Sequence, residues 1–412
     1  PIHRSITGEG VRRTLRELQS ILPELTLHEV PSGTEVFDWT VPDEWNVRDA
    51  YVMDEAGRKV IDFQQNNLHV VAYSVPIDRV VEWDELEAHL HSLPDQPEAI
   101  PYVTSYYERR WGFCMAHAER TKLTPGRYRV VIDSTLEPGS LTYGELILPG
   151  RETKEVLLST YTCHPALAND NLSGVAVTAF LARWLREQAD RRYTYRILFI
   201  PETIGAVAYL SRHLAHLKAH TVAGFVLTCV GDDRAYSFVP SRLGETLADK
   251  VALHVLAHYA PDFVRYTFLD RGSDERQYCS PGVDLPVVSM PRSKYGAFPE
   301  YHTSLDDLSL ISARGLGGSY ELHRRCLQAL EHNYRYRTTT LGEPRLGKRD
   351  LMPTLSIKGS VNSTRDLLNV LVYCDGRHDL LDLATATALP VGRCRELIDV
   401  LHAHGLVERV GD

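Results

Sequence analysis

The 412-residue sequence predicts an α/β fold: a mixed, mainly parallel sheet flanked by helices, with a small inserted β-rich module and a helical module at the C-terminal end. Three features lead there. Between Gly144 and His332, continuous apolar runs alternate with amphipathic stretches, the pattern of strands covered on both faces by helices. Between Thr34 and Gly139 the apolar runs are short and broken by Pro, Gly and Asp, as in a compact β module. After GEPRLGKRD at 342–350, three short helical patterns follow one another closely.

The elements follow in order. Residues 5–22 place Val11, Leu15, Leu18 and Leu22 at helical spacing, with Ser5 and Thr7 as plausible caps. TEVFDWTV, NLHVVAYSVP and YRVVIDSTL supply strands of the β module, which is rich in aromatics around Tyr102, Tyr106, Tyr107, Trp111 and Phe113. EVLLSTYT, YTYRILFIP, AGFVLTCV and DLPVVSM then read as buried strands, each followed by a helical pattern. The tail reads as helix, helix, helix and a final strand, LVERV, which is the outline of a winged helix. The expected boundaries are 1–38 with 141–341 for the α/β core, 39–140 for the insertion and 342–412 for the winged helix.

Composition narrows the function. Hydrophobic residues make up 43% and charged residues 24%, enough apolar material for a large core. A net charge of −9 argues against a whole-chain nucleic-acid binder. Residues 345–412 carry nine Lys/Arg against nine Asp/Glu, so the winged helix has no basic surplus for phosphates. No apolar run approaches the ~20 residues of a membrane span. The first residues, PIHRSITGEGVRRTL, have no apolar signal core. The expectation is therefore a cytoplasmic protein with no membrane and no nucleic-acid partner, acting on a small molecule or short peptide, with homo-oligomerisation left open. Seven scattered cysteines without a CxxC pair are expected to be buried free thiols.

Chemistry gathers in four loops. In YTCHPALANDNLSG (161–174), His164 and Asp170 lie between a strand and a helix, where imidazole and carboxylate can share a cation. Asn169 and Asn171 flank the Asp and are placed to orient it, although Asp170 and Asn171 read equally well as caps of the next helix. PETIG (201–205) puts Glu202 at a strand end, as a general base or as an N-cap acid. EYHTSLDDL (300–308) offers Tyr301, His302, Asp306 and Asp307. RGSDERQYCSPGVDLP (271–286), with Asp274, Glu275 and Arg276, suits either a pocket rim or a solvated loop. His254 and His258 lie at i, i+4 but lack the HExxH glutamate, so an ordinary helix face is expected there.

Taken together, these motifs resemble the zinc aminopeptidase clan of bacterial leucyl aminopeptidases and glutaminyl cyclases. The likeness is closer to bacterial aminopeptidase-like proteins associated with polysaccharide or natural-product biosynthesis. FDWTVPDEWNVRDAY, IPYVTSYYERRWGFC, CHPALANDNLSG, PETIGAVAYL, GSDERQYCSPGVDLP and YHTSLDDL carry it across the whole chain. The resemblance implies an aminopeptidase-like core, metal ligands at His164, Asp170 and His302, and Glu202 as base. It implies a zinc-dependent amide hydrolase of aminopeptidase type acting on a small peptide-like or acylated metabolite. Asp274, Glu275, Arg276, Tyr301 and Tyr106 are the expected substrate-binding residues, with Tyr301 or Arg276 as donors to an oxyanion. The sequence departs from the clan where a second metal-ligating glutamate is replaced by Thr203. A later aspartate position falls near Thr228 or Cys229, with Asp232 or Asp233 as displaced substitutes. One zinc ion is therefore expected. The alternatives are a non-hydrolytic metal-site protein in a biosynthetic complex and a winged-helix regulator.

Overall fold

The structure, a computed structural model, describes residues 2–351 and 361–411. It divides into two compact units, Pro1–Ala248 with Val264–Tyr320, and Asp249–Phe263 with Glu321–Asp412.

The first unit opens with helix α1 (Glu9–Ile21), which buries Val11, Thr14, Leu15 and Leu18 on one face. Strand β1 (Thr26–Pro31) follows. The insertion then contributes β2 (Glu44–Met53), β3 (Lys59–Asp62), β4 (Ile77–Glu82) and β5 (Arg127–Glu137), an antiparallel sheet in the order β3-β2-β5-β4. The chain returns through β6 (Ser140–Leu148) to β7 (Glu155–Tyr161), helix α2 (Gly174–Glu187), β8 (Thr194–Ile200), helix α3 (Ile204–His220), β9 (Thr221–Val226) and helix α4 (Leu247–Tyr259). β10 (Val287–Ser289) and helix α5 (Ala313–Glu331) follow.

The central sheet runs β1-β6-β8-β7-β9-β10. β8, β7, β9 and β10 are mutually parallel, and β6 is antiparallel to both its neighbours. Every residue of β7 is buried, because helices cover both faces; this is the physical basis of its largely apolar character. A single apolar cluster runs from Trp45, Val52 and Ile132 of the insertion to Leu157, Leu198 and Val226 of the central sheet. The insertion thus shares the core of the α/β body. All seven cysteines are buried and free.

The second unit takes nearly all of α4 and the latter part of α5, and adds α6 (Val361–Val372), α7 (Leu380–Thr387) and α8 (Val391–Ala403), with a three-stranded sheet of β11 (Arg335–Thr338), β12 (Asp375–Asp379) and β13 (Val407–Arg409) in the order β12-β11-β13. β11 lies before the boundary expected at 342. Its Arg-Tyr-Arg-Thr sequence alternates half-buried and exposed residues and has no apolar run to announce a strand. Of the expected module, residues 352–360 and 412 lie outside the described residues. No described helix is long and apolar enough to cross a membrane.

Candidate active site

β7 and β8 are adjacent and parallel, with Tyr161 opposite Ile200, so the loops leaving their carboxyl ends open side by side. One loop carries His164 and Asp170, and the other carries Glu202. A third loop, before α5, brings His302. The Nε2 atoms of both histidines converge on Asp170 Oδ2, at 3.6 Å from His164 and 3.1 Å from His302. Among the described residues these three form the one group whose ligand atoms all lie within 4.8 Å of one another.

The donor set fits a zinc ion. Bonds of about 2.0–2.2 Å to N and O in a tetrahedron place ligand atoms roughly 3.3 Å apart, close to the separations seen. Asp170 Oδ2 and His302 Nε2 are enclosed and have no hydrogen-bond partner, an expensive arrangement unless a cation satisfies both. Burial pulls His164 down to about 4, keeping its imidazole in the neutral, ligating form. Burial would raise Asp170, but the two histidines and the Tyr161 hydroxyl outweigh it and bring the carboxyl to about 2.

The ligand loops are held from behind. Tyr161 donates its hydroxyl to Asp170 Oδ1 and lies 2.6 Å from Thr228 Oγ1. Cys229 Sγ approaches the same carboxylate oxygen at 3.8 Å. A phenol, a hydroxyl and a thiol thus occupy the side of Asp170 turned away from His164 and His302. The alternative carboxylates are engaged elsewhere: Asp232 accepts from Ser293 and Asn169, and Asp233 from Ser312. The expectation that Asn169 and Asn171 orient Asp170 is corrected. Asn171 donates to Thr160 Oγ1 and the Tyr161 carbonyl, tying the loop to the strand end. Neither Asp170 nor Asn171 caps the following helix. Asp306 takes the loop-holding role instead, accepting from the backbone N–H of Asn169 at 2.6 Å and Asp170 at 2.8 Å. Burial lifts its carboxyl to about 7.

Glu202 Oε2 stands 3.9 Å from His164 Nε2. Burial, then the neighbouring Asp274 and Asp170, push its carboxyl well above the usual range. The next residue, Thr203, has φ +62°, a conformation costly for a β-branched side chain and maintained only where neighbours hold it. Asp274 Oδ1 accepts the Thr203 N–H at 2.7 Å, and Arg276 donates to the Thr203 hydroxyl. These two residues therefore fix the turn that presents Glu202.

A cavity of about 310 Å³ opens over the triad, lined by His164, His302, Glu202 and Arg276 on one side and by Trp39, Tyr102, Tyr106 and Tyr107 on the other. Of the expected substrate-binding residues, Arg276 and Tyr106 line it. Tyr301 stacks on the His302 ring at 3.9 Å and lies outside the lining. Glu275 also lies outside it, accepting from Gly272 and Ser273 N–H groups and the Tyr295 hydroxyl. Asp274 is fully buried beneath Thr203. Trp111 stacks on His89, outside the lining.

Tyr102 was missed by sequence reasoning. Its ring sits against both His164 and His302, with centroids 5.3 and 5.1 Å away, and its N–H donates to the His302 carbonyl at 2.8 Å. Ile100 and Ser304 exchange two further hydrogen bonds across the same seam. Arg4 was also missed; its guanidinium donates to the His164 and Pro165 carbonyls. Only the aromatic density of IPYVTSYY hinted at Tyr102, and nothing local marked Arg4.

Residues 1–333 match the family described as a domain of unknown function, DUF4910, and residues 334–409 match one described as winged helix-turn-helix. The chain belongs to the DUF4910 family. Over 414 residues this DUF4910 chain is 44% identical to a Clostridium acetobutylicum protein provisionally named for polysaccharide biosynthesis with an aminopeptidase-like domain; the match covers 100% of the chain and 94% of that protein. A crystal structure of a provisionally named peptidase from the same organism superposes with a TM-score of 0.94 at 44% identity, again covering 100% and 94%. The fold is shared with a Bacillus subtilis zinc aminopeptidase (TM-score 0.55, 13% identity, 80% and 90% covered). It is shared too with an M28 peptidase precursor of Shewanella amazonensis (0.56, 11%, 83% and 92%). The DUF4910 chain thus combines an aminopeptidase-like fold with a winged helix.

Proposed function

We propose that the chain is a zinc-dependent amide hydrolase of aminopeptidase type that acts on small peptide-like or acylated metabolites. The observation that carries this reading is the convergence of two imidazole nitrogens on one unpartnered carboxylate oxygen, beside a raised glutamate, in a small walled cavity. His164, Asp170 and His302 would hold one zinc ion, which when bound supplies Lewis acidity to polarise an amide carbonyl and acidify water.

The rest is done by the chain. Glu202 accepts a proton from the attacking water and returns it to the departing amine, so its carboxyl must cycle between both forms near neutral pH. A raised proton affinity serves the second step. Of the two expected oxyanion donors, Arg276 lines the cavity and is the one positioned to serve. Trp39, Tyr102, Tyr106 and Tyr107 exclude water and limit the length of the bound molecule. Thr203, Thr228 and Cys229, standing where the two-zinc pattern has carboxylates, support a single ion.

The test is elemental analysis of purified protein together with turnover on aminoacyl anilides and N-acyl amino sugars, the latter chosen from the name of the Clostridium relative. About one zinc per chain, and its loss in His164→Ala, are expected. Near-zero zinc in wild type, or unchanged zinc in His164→Ala, would sink the reading.

A further inference from the structure

The cavity over His164, Asp170 and His302 has an uneven distribution of charge. Among its described lining residues Glu202 is the one carboxylate and Arg276 the one guanidinium. Glu202 stands beside the triad, with Oε2 3.9 Å from His164 Nε2. Arg276, half-buried on the short helical turn Glu275–Tyr278, donates through Nη2 to the Thr203 hydroxyl. Among the described residues no carboxylate forms an ion pair with it. The acids next to it in sequence serve other donors. Asp274 accepts the Thr203 N–H at 2.7 Å. Glu275 accepts the N–H groups of Gly272 at 2.9 Å and Ser273 at 3.1 Å, and the Tyr295 hydroxyl. An acid at position 203 would neutralise the guanidinium; threonine gives it a hydroxyl and no charge. A cation sunk in a pocket wall without a counter-charge is costly unless a ligand brings one.

The position of Arg276 says which part of a ligand it meets. Glu202 returns its proton to the departing amine, and Arg276 is tied to the very next residue, Thr203. The guanidinium therefore flanks the departing fragment. The opposite wall adds a neutral donor. The Tyr102 and Tyr106 hydroxyls are bonded to each other at 3.2 Å, a contact that uses one of their two protons. Burial raises both phenols and keeps them protonated.

We propose, building on the hydrolase reading, that the substrate carries a carboxylate on the carbon next to its departing nitrogen and that Arg276 grips it. The site then takes dipeptides and N-acyl amino acids in preference to amides whose leaving amine is neutral. The planar fork of a guanidinium matches a carboxylate in its own plane, and Thr203 already fixes one end of that fork.

The experiment uses alanylalanine and alanylalaninamide, which differ only in that carboxylate. Calorimetric titration of purified Glu202→Gln protein reads their binding without turnover. The acid should bind about 10- to 100-fold more tightly than the carboxamide, the range of a charged hydrogen bond. Adding Arg276→Gln should erase that difference. Adding Arg276→Lys instead keeps a point charge without the fork and should retain an intermediate preference. Equal affinity for acid and carboxamide in the protein with Arg276 intact would overturn the proposal. So would a preference that survives Arg276→Gln, because another group would then hold the carboxylate, or identical selectivity in the Lys and Gln variants. With Glu202 intact, the same comparison is read as the ratio of kcat/KM for the two dipeptides, in which any shared loss of oxyanion stabilisation cancels. Selective binding without turnover of either dipeptide would defeat the hydrolase reading and leave the carboxylate site standing. Turnover of both with equal efficiency would do the reverse.

Discussion

Tyr161 sits behind the metal-binding triad and gives its hydroxyl proton to Asp170 Oδ1, leaving Oδ2 to face His164 and His302. Removing that hydroxyl leaves a buried carboxylate oxygen with only the distant Cys229 thiol at 3.8 Å and frees the ligand to rotate. Outer partners of this kind typically set about 10- to 100-fold in metal affinity. Tyr161→Phe should therefore lose zinc affinity by that amount while folding normally, measured by competition with a chelator. Glu202 should behave in the opposite way. Glu202→Gln retains the ligands but removes the proton acceptor, so kcat should fall by about 10²–10⁴-fold with zinc content unchanged. Full turnover by zinc-loaded Glu202→Gln protein would remove Glu202 from the chemistry. The pair of variants separates metal retention from proton transfer, which a single alanine at His164 cannot do.

Between elements, one polar contact that ties the insertion to the α/β body is open to the same kind of test. Arg12 of α1 grips Glu44 at the start of β2, and Glu44 also accepts the Ser140 N–H at 3.0 Å at the start of β6. The Arg12 hydrogen bonds bring the Glu44 carboxyl from its ordinary 4.5 down to about 2. A depressed carboxylate adds stability above its unfolded pKa and loses it as pH falls through the folded value. Glu44→Gln should thus destabilise by about 1.5–3 kcal/mol at pH 7, with the gap to wild type closing between about pH 5 and pH 2 in urea unfolding. An unchanged gap at pH 2 would show that the charge is not the source. The central sheet was legible because EVLLSTYT and YTYRILFIP are mainly apolar, a consequence of burial on both faces, with the charges of Glu155 and Arg196 paired to each other. His164, Asp170 and Glu202 were legible because each stands in a polar loop next to such a run, and His302 drew its weight from those two motifs. Tyr102 and Asp306 act through contacts 200 and 137 residues away along the chain, across which periodicity carries no information. Glu275 and Tyr301 looked like pocket residues because charge and aromaticity in a loop do not tell which way a side chain turns.

At the scale of the molecule, the insertion turns an open strand-end cleft into a chamber. Tyr102 is bonded to the His302 loop, and Tyr107 donates to the Thr40 carbonyl at 2.9 Å beside Trp39, closing the far wall. The cavity volume of about 310 Å³ is at the small end of ligand sites, which run from about 300 to 1,000 Å³. An extended peptide leaving this half-open cavity on the insertion side must pass these rings. Wild-type protein should therefore hydrolyse aminoacyl amides of one or two residues and leave a decapeptide intact. Trp39 and Tyr107 are 40% and 51% exposed, so cutting both back to Ala removes wall with little loss of core. In the Trp39→Ala/Tyr107→Ala protein, the ratio of pentapeptide to dipeptide kcat/KM should rise at least about tenfold, roughly 1.4 kcal/mol of relieved exclusion. Efficient decapeptide cleavage by the unaltered protein would sink the size limit set by the aromatic wall.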